Sequence, residues 1–462
     1  LGGAERLVVD AAVGLQGAGH QVVVYTSHHD RTHCFEETRD GTLDVRVYGD
    51  FLPRAIFGRF MVLCAIIRGI YLAFVVTLLG KVRCTDVVFC DQLSAWIPIL
   101  KRAGARVFFY CHFPDLMLTD RRGLLKQLYR MPMDWFEEWT TGKQAPCSMA
   151  DRIVVNSKFT ASVFARAFTS ASVQPDVLYP GIRLDAYDRP VDPSEPTLTP
   201  LKTDRITIVS INRFERKKNI ALAIRCFAHL RDARLVPEKE FGHLRLIIAG
   251  GYDKRVRENV EHLDELRQRA ENEFGLVTHT IQDRTAPSPA EAQVVFLPSF
   301  DEAQRGYLLA TSRCLLYTPS GEHFGIVPIE AMYARLPVVA VADGGPTETV
   351  CDGETGYLCQ PEPAAFAEAV CKLLVSADPE TPTAAEKAAH MGDRGREWVR
   401  DNFTLAAFVH RLDAMLKTLA AQPARTEQSM LAPLAGILLV LAGLLVLPVV
   451  VSVYARAWIL GM

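Results

Sequence analysis

The sequence predicts an α/β protein of two consecutive doubly wound, Rossmann-like domains followed by a C-terminal membrane helix. Three observations carry this prediction. Short, nearly continuous apolar runs alternate with helical stretches, the pattern of parallel strands covered on both faces. The proline-bearing stretch YDRPVDPSEPTLTPLKTD, from Tyr187 to Asp204, interrupts that alternation, which then restarts. Near the C-terminus, Met430 to Val453 carries no charged residue.

The chain opens on a helical pattern from Ala4 to Gln16 and a strand pattern from Gln21 to Tyr25. An α/β chain usually opens on a strand, so a first strand is expected to be missing before Leu1. Further strands are expected over 86–92, 105–113, 152–157 and 176–181, making residues 1–188 the N-terminal domain. Residues 189–204, with Pro190, Pro193, Pro196 and Pro200, read as the linker. The second domain, 205–400, has expected strands at 205–212, 244–251, 293–299, 313–320, 337–343 and 355–359. The segment 275–292 reads as an extended loop, and a helix over 401–421 is expected to return towards the N-terminal domain. The apolar stretch within 430–454 would extend about 36 Å as a helix, enough for a hydrocarbon core of about 30 Å. Pro433 and Pro448 keep a kinked or re-entrant path open. A second apolar region, 60–80, is broken by Arg68 and reads equally as a core helix or an interfacial one.

Composition narrows the function classes. A hydrophobic content of 49% with 23% charged residues excludes a disordered chain. The formal net charge of −2 supplies no basic field for nucleic acid. Eleven cysteines without paired metal-ligand spacing indicate neither a zinc site nor a disulfide framework, and suit a reducing compartment. The triplet Asn402-Phe403-Thr404 matches a glycosylation sequon and is expected to be unused.

In open α/β sheets, ligands bind beyond the carboxyl ends of strands. Such an end carries SINRFERKKN, which sets Arg213, Lys217 and Lys218 on a loop entering a helix. Cations there oppose the helix dipole and suit a bound diphosphate; a solvated basic helix start is the plainer alternative. CHFPD ends another strand and offers His112 and Asp115, for which a structural role is the plainer alternative. The stretch GEHFGIVPIEAM places Glu322 and Glu330 around a glycine turn. A carboxylate matches a vicinal diol, and buried carboxylates are costly unless hydrogen-bonded, so the pair could clamp two sugar rings. The alternative is a glutamate that simply favours a helix N-terminus. Two diol clamps beside a diphosphate site describe a nucleotide sugar.

The motifs GEHFGIVPIEAM, RFERKKN, AGGYD and GGAER together resemble the retaining glycosyltransferases of the GT-B, family-4 type. FYCHFPD, SINRFERKKN and YTPSGEHFGIVPIEAMY narrow the resemblance to eukaryotic α-1,3/1,6-mannosyltransferases that extend the dolichol-linked oligosaccharide. It covers Gly2 to about residue 420. Asn219 stands where many relatives have glycine, and 144–149 and about 276–290 read as insertions.

The resemblance implies GDP-mannose as donor, a dolichol-diphosphate-linked Man-GlcNAc2 acceptor, and retention of configuration. It implies that His112, Arg213, Lys218 and Glu322 serve catalysis, with Glu322 on mannose hydroxyls and the two cations on the departing diphosphate. Glu330 would hold the ribose. Gly2, Gly3, Lys217, Gly250, Gly251, Phe324 and Gly325 would line the donor, and 296–300 the guanine pocket. No metal or other cofactor is expected. Further implied partners are the endoplasmic reticulum membrane, with the catalytic domains on its cytosolic face, and other mannosyltransferases of the pathway. The alternatives are a non-catalytic membrane scaffold and a transferase using another nucleotide sugar.

Overall fold

The computed structural model describes residues 3–56, 60–118, 124–142, 150–169, 171, 173–375 and 383–423. Gly2, the expected insertion 144–149 and the apolar segment 430–454 lie outside the described residues. The chain forms two compact units. One comprises the described residues of Leu1–Tyr179 and Ala406–Met462, the other Pro180–Leu405.

In the first unit, α1 (Gly3–Gly17) leads to β1 (Val23–Thr26) and β2 (Asp44–Val47), which pair in parallel as a two-stranded sheet. Then follow α2 (Met61–Leu78), β3 (Val88–Asp91), α3 (Ile97–Arg102), β4 (Val107–Cys111), α4 (Asp115–Leu118), α5 (Leu124–Gly142), β5 (Arg152–Val155), α6 (Lys158–Ala167) and β6 (Asp176–Val177). β3 to β6 form a parallel sheet in chain order. Every residue of β4 is buried, which is why that strand reads as an unbroken apolar run rather than an alternating one. Lys101 and Asp151, each with a side chain 2% exposed, form an ion pair of 2.5 Å, and Asp151 also accepts from the amide of Val107. β2 escapes the sequence reading because Asp44 and Arg46 give it little apolar signal.

α2, in the region 60–80, packs one face into the first unit and leaves its ends exposed. Leu63, Ile66, Ile70, Ala73 and Val76 are buried, and buried Arg68 donates to the carbonyl of Ser27 at 2.7 Å. Met61, Leu78 and Leu79 are exposed. Among the described residues this is the one helix long and apolar enough to cross a membrane, with 44% of the span buried within the unit.

The second unit carries β7 (Ile206–Ile211), α7 (Ala221–Asp232), α8 (Glu238–Phe241), β8 (Leu244–Gly250), α9 (Arg257–Gln268), β9 (Thr278–Thr280), β10 (Val294–Pro298) and α10 (Glu302–Thr311). It continues with β11 (Cys314–Tyr317), α11 (Ile326–Tyr333), β12 (Val338–Val341), α12 (Pro346–Thr349), β13 (Gly356–Cys359), α13 (Pro363–Leu374) and α14 (Ala384–Asn402). The seven parallel strands run in the order β13-β12-β11-β7-β8-β10-β9. Chain order therefore reverses between β7 and β11, the place where an open α/β sheet has its ligand crevice, beyond the carboxyl ends of the strands. α15 (Leu405–Ala420) follows; its residues from Ala406 on group with the first unit, where Val409 lies against Gly14 and Asp413 meets His20 at 2.6 Å.

The stretch 189–204 packs within the second compact unit, Pro180–Leu405. Leu198 and Leu201 are fully buried, and the carbonyls of Thr197, Pro200 and Leu201 accept from Gln304, Ser288 and Arg245. Proline favours the short helical turn Pro196–Leu201, and the buried Leu198 and Leu201 seal it to the second unit. Within 275–292, the expected loop, Thr278–Thr280 instead extends the sheet as edge strand β9.

Candidate active site

The crevice between β7 and β11 collects the predicted residues of the second unit. After β7, the turn Arg216–Lys218 ends at Asn219, which takes a left-handed conformation (φ 48°). The buried hydroxyl of Thr318, just past β11, donates to the carbonyl of Lys218 at 2.8 Å and fixes that turn. The ammonium of Lys218 forms a short ion pair with Glu322, and the two side chains are only 15% and 19% exposed. Arg213 and Lys217 sit differently. Both are well exposed and share Glu215, at 3.0 Å and 3.1 Å, so the three cations divide between two carboxylates. Arg216, the remaining basic residue of the run, turns to Glu261 and Glu265 of α9.

Glu322 and Glu330 have contrasting environments. Burial favours the neutral form of Glu322, but the charge and hydrogen bond of Lys218 outweigh it, so its carboxyl titrates below the ordinary range. Glu330, on α11, is shifted upwards by burial, against the counteracting Arg305 and Tyr187. Its Oε1 accepts from the Tyr187 hydroxyl at 2.5 Å and from Arg305 Nη1 at 3.3 Å. Burial, then the charge and hydrogen bond of Glu322 and the charge of Glu330, keep the phenol of Tyr317 protonated. The two carboxylates therefore belong to one neighbourhood.

Glycines shape that neighbourhood. Gly325, with φ 88°, turns the chain into α11, a conformation that disfavours any side chain. A Cβ on Gly250 would stand 1.6 Å from the carbonyl oxygen of Asn212, so the close approach of the β8 and β7 ends accounts for this glycine by packing alone. Gly251 lies against the stem of Arg213. The ring of Phe324 is buried and meets Phe403 at 5.8 Å, leaving only its peptide group for a ligand. In the expected base pocket, Phe296 and Leu297 are fully buried within the sheet, so only 298–300 reach the crevice.

In the first unit, His112 follows β4. Its ring tilts on Tyr110 at 4.8 Å, its Nε2 is 3.8 Å from Asp91 Oδ2, and its carbonyl accepts from Asn156. Asp115 pairs with buried Arg130 at 2.8 Å, while Glu137 accepts from the amides of Asp115 and Leu116 at 2.8 Å each. Burial and the Asp115 charge push Glu137 up to about 7. Gly3 begins α1.

Sequence reasoning missed Glu215, Tyr187, Arg305 and Tyr317. Tyr317 could have been found as the last residue of a strand entering a polar turn. Tyr187 lay in the stretch assigned to a domain boundary, and Arg305 sits on a helix whose pattern marks nothing unusual. Among the described residues, no group of three or more histidine, cysteine, aspartate or glutamate side chains could hold a metal.

Comparison with known proteins completes the picture. Residues 195–398 match the model for glycosyl transferases group 1, and residues 1–186 that for glycosyltransferase family 4. The chain is 54% identical over 419 residues to alpha-1,3/1,6-mannosyltransferase ALG2 of Rhizomucor pusillus, covering 90% of this chain and 89% of that protein. It is 45% identical to the Homo sapiens protein of the same name, covering 89% and 92%. Among solved structures, sucrose-phosphate synthase from Thermosynechococcus elongatus aligns with a TM-score of 0.65 at 19% identity, over 91% of this chain and 94% of that one. Anabaena HepE in complex with UDP and glucose aligns with a TM-score of 0.61 at 18% identity, over 90% and 96%. At those identities the structures share the two-domain GT-B fold.

Proposed function

The chain belongs to the alpha-1,3/1,6-mannosyltransferase family of glycosyltransferases, and from that premise we propose that it moves mannose from GDP-mannose onto a dolichol-diphosphate-linked Man-GlcNAc2 acceptor. The first transfer makes an α-1,3 linkage and the second an α-1,6 linkage, each with retention. The observation that supports this reading most strongly is the Lys218–Glu322 pair at the β7/β11 switch point, beside Glu330.

The chemistry follows from the pairing. An arriving diphosphate competes with Glu322 for Lys218, so donor binding releases the carboxylate to accept from mannose hydroxyls. Arg213 and Lys217 add charge from the solvent side. As the anomeric C–O bond breaks, the electron pair goes to the β-phosphate oxygen, and the cations stabilise that growing charge. They stand where a divalent ion would otherwise neutralise the diphosphate, so transfer proceeds without a metal. Glu330 accepts from the ribose diol. His112 serves the donor mannose. The acceptor hydroxyl attacks from the face the diphosphate leaves and gives its proton to the departing β-phosphate oxygen, with no protein nucleophile.

The acceptor's polyprenyl chain stays in a bilayer, and 430–454 has the length and composition to anchor the enzyme there. The location proposed is the endoplasmic reticulum membrane, with catalysis on the cytosolic face and other mannosyltransferases of the pathway as neighbours. Thermal protection tests donor choice. GDP-mannose and GDP should raise the melting temperature in the presence of EDTA, and UDP-glucose at equal concentration should not. Protection by UDP-glucose alone would reject the assignment.

A further inference from the structure

We infer that Tyr187 and Arg305 are positioning residues that occupy one oxygen of Glu330 and aim the other at the donor. The inference rests on the reading of Glu330 as the ribose acceptor. Both donors reach the same atom, Oε1, at 2.5 Å and 3.3 Å, and no hydrogen bond from a described residue reaches Oε2. The Glu330 side chain is 12% exposed, so Oε2 keeps a path to a ligand. The donors are themselves held. The Arg305 guanidinium lies 5.1 Å from the centre of the Tyr187 ring, its Nη2 is paired with Glu302 at 2.5 Å, and Tyr187 meets Tyr333 edge-on at 6.2 Å. Tyr333 in turn donates to Asp188, which also receives Arg396 at 2.6 Å. The stretch around residue 187 is thereby tied to α11 and α14.

This arrangement does two things. It fixes the rotamer of a carboxylate that would otherwise swing among staggered wells, and it supplies a positive and hydrogen-bonding environment that opposes the pull of burial towards the neutral acid. The titratable and charged groups facing Glu330 are Tyr187, Arg305, Glu302 and Tyr317. Glu302 disfavours the charged form, while Tyr187 and Arg305 favour it. Burial and the Glu330 charge hold the Tyr187 phenol protonated, so it remains a donor. Removing the hydroxyl leaves the carboxyl more readily protonated, and a neutral Glu330 grips a diol less well.

The test is the kinetics of Tyr187→Phe, Glu330→Gln and the double variant with GDP-mannose between pH 5.5 and 8.5. For Tyr187→Phe, the KM for GDP-mannose should rise roughly tenfold near neutral pH, the size of one charge-assisted hydrogen bond, with kcat little changed. That rise should grow as the pH falls, moving the acid limb of kcat/KM to higher pH. In the Glu330→Gln background the same change should have no pH-dependent effect. A pH-independent loss, or an equal loss in both backgrounds, would reduce Tyr187 to a packing residue and overturn the inference. If Glu330→Gln itself leaves the KM for GDP-mannose unchanged, the ribose reading fails. If it raises the KM while Tyr187→Phe does not, only the present inference fails.

Discussion

Replacing Lys218 by methionine keeps most of the side-chain volume and removes the charge that faces Glu322. At a typical ion-pair separation of about 3 Å and an effective dielectric constant of about 20, such a pair has about 5 kcal/mol of Coulomb energy. The partners are 15% and 19% exposed, so part of that is screened, and methionine restores some packing. The net loss expected is about 2–3 kcal/mol, below the range for a fully buried pair broken on one side. For a unit of this size that lowers the melting temperature by about 5–10 °C. Catalysis should suffer more. A preorganised charge facing a departing diphosphate is worth about 10²–10³ in kcat, and the unpaired Glu322 adds repulsion. The assay is transfer of radiolabelled mannose below the variant's own transition, alongside calorimetric GDP affinity. Activity within about threefold of the parent, with unchanged GDP affinity, would refute the placement of Lys218 on the diphosphate.

Other consequences are equally specific. Gly250→Ala should cost about 3 kcal/mol, because its methyl group would meet a backbone carbonyl 1.6 Å away that cannot rotate aside; urea unfolding measures it, and a neutral result would deny the close approach of β7 and β8. Glu137 has its folded value raised from 4.5 to about 7, so its neutral form favours the fold; stability should fall by up to about 3 kcal/mol as the pH rises from 4.5 to 7. Glu137→Gln should flatten that part of the stability–pH curve, as chemical denaturation at several pH values would record. Glu322 contributes in the opposite sense: its lowered value gives stability above pH 4.5 that is lost as the pH drops below it, and Glu322→Gln should remove that acid loss.

How much of this was legible depends on whether a feature was local. β4 announces itself as an unbroken apolar run and β8 as one broken only by Arg245, since burial on both faces removes polar alternation. β2 and β9 do not, because edge positions tolerate Asp44, Arg46 and Thr278. Lys218, Glu322 and Glu330 lie in short motifs with turn glycines, and their chemistry could be read from spacing. Their partners could not. Tyr187 and Arg305 stand 143 and 25 residues from Glu330, in a stretch that composition assigns to a linker and on an unremarkable helix. Proline count alone also does not show that Leu198 and Leu201 pack within 189–204.

The most direct test of the account is mannose transfer by the protein in detergent from GDP-[¹⁴C]mannose to a phytanyl-diphosphate-linked Man-GlcNAc2, read as product chain length. The account predicts growth by two mannoses in succession, with both steps lost together in Lys218→Met. No transfer from GDP-mannose, or transfer that survives in that variant at the parent rate, would contradict it.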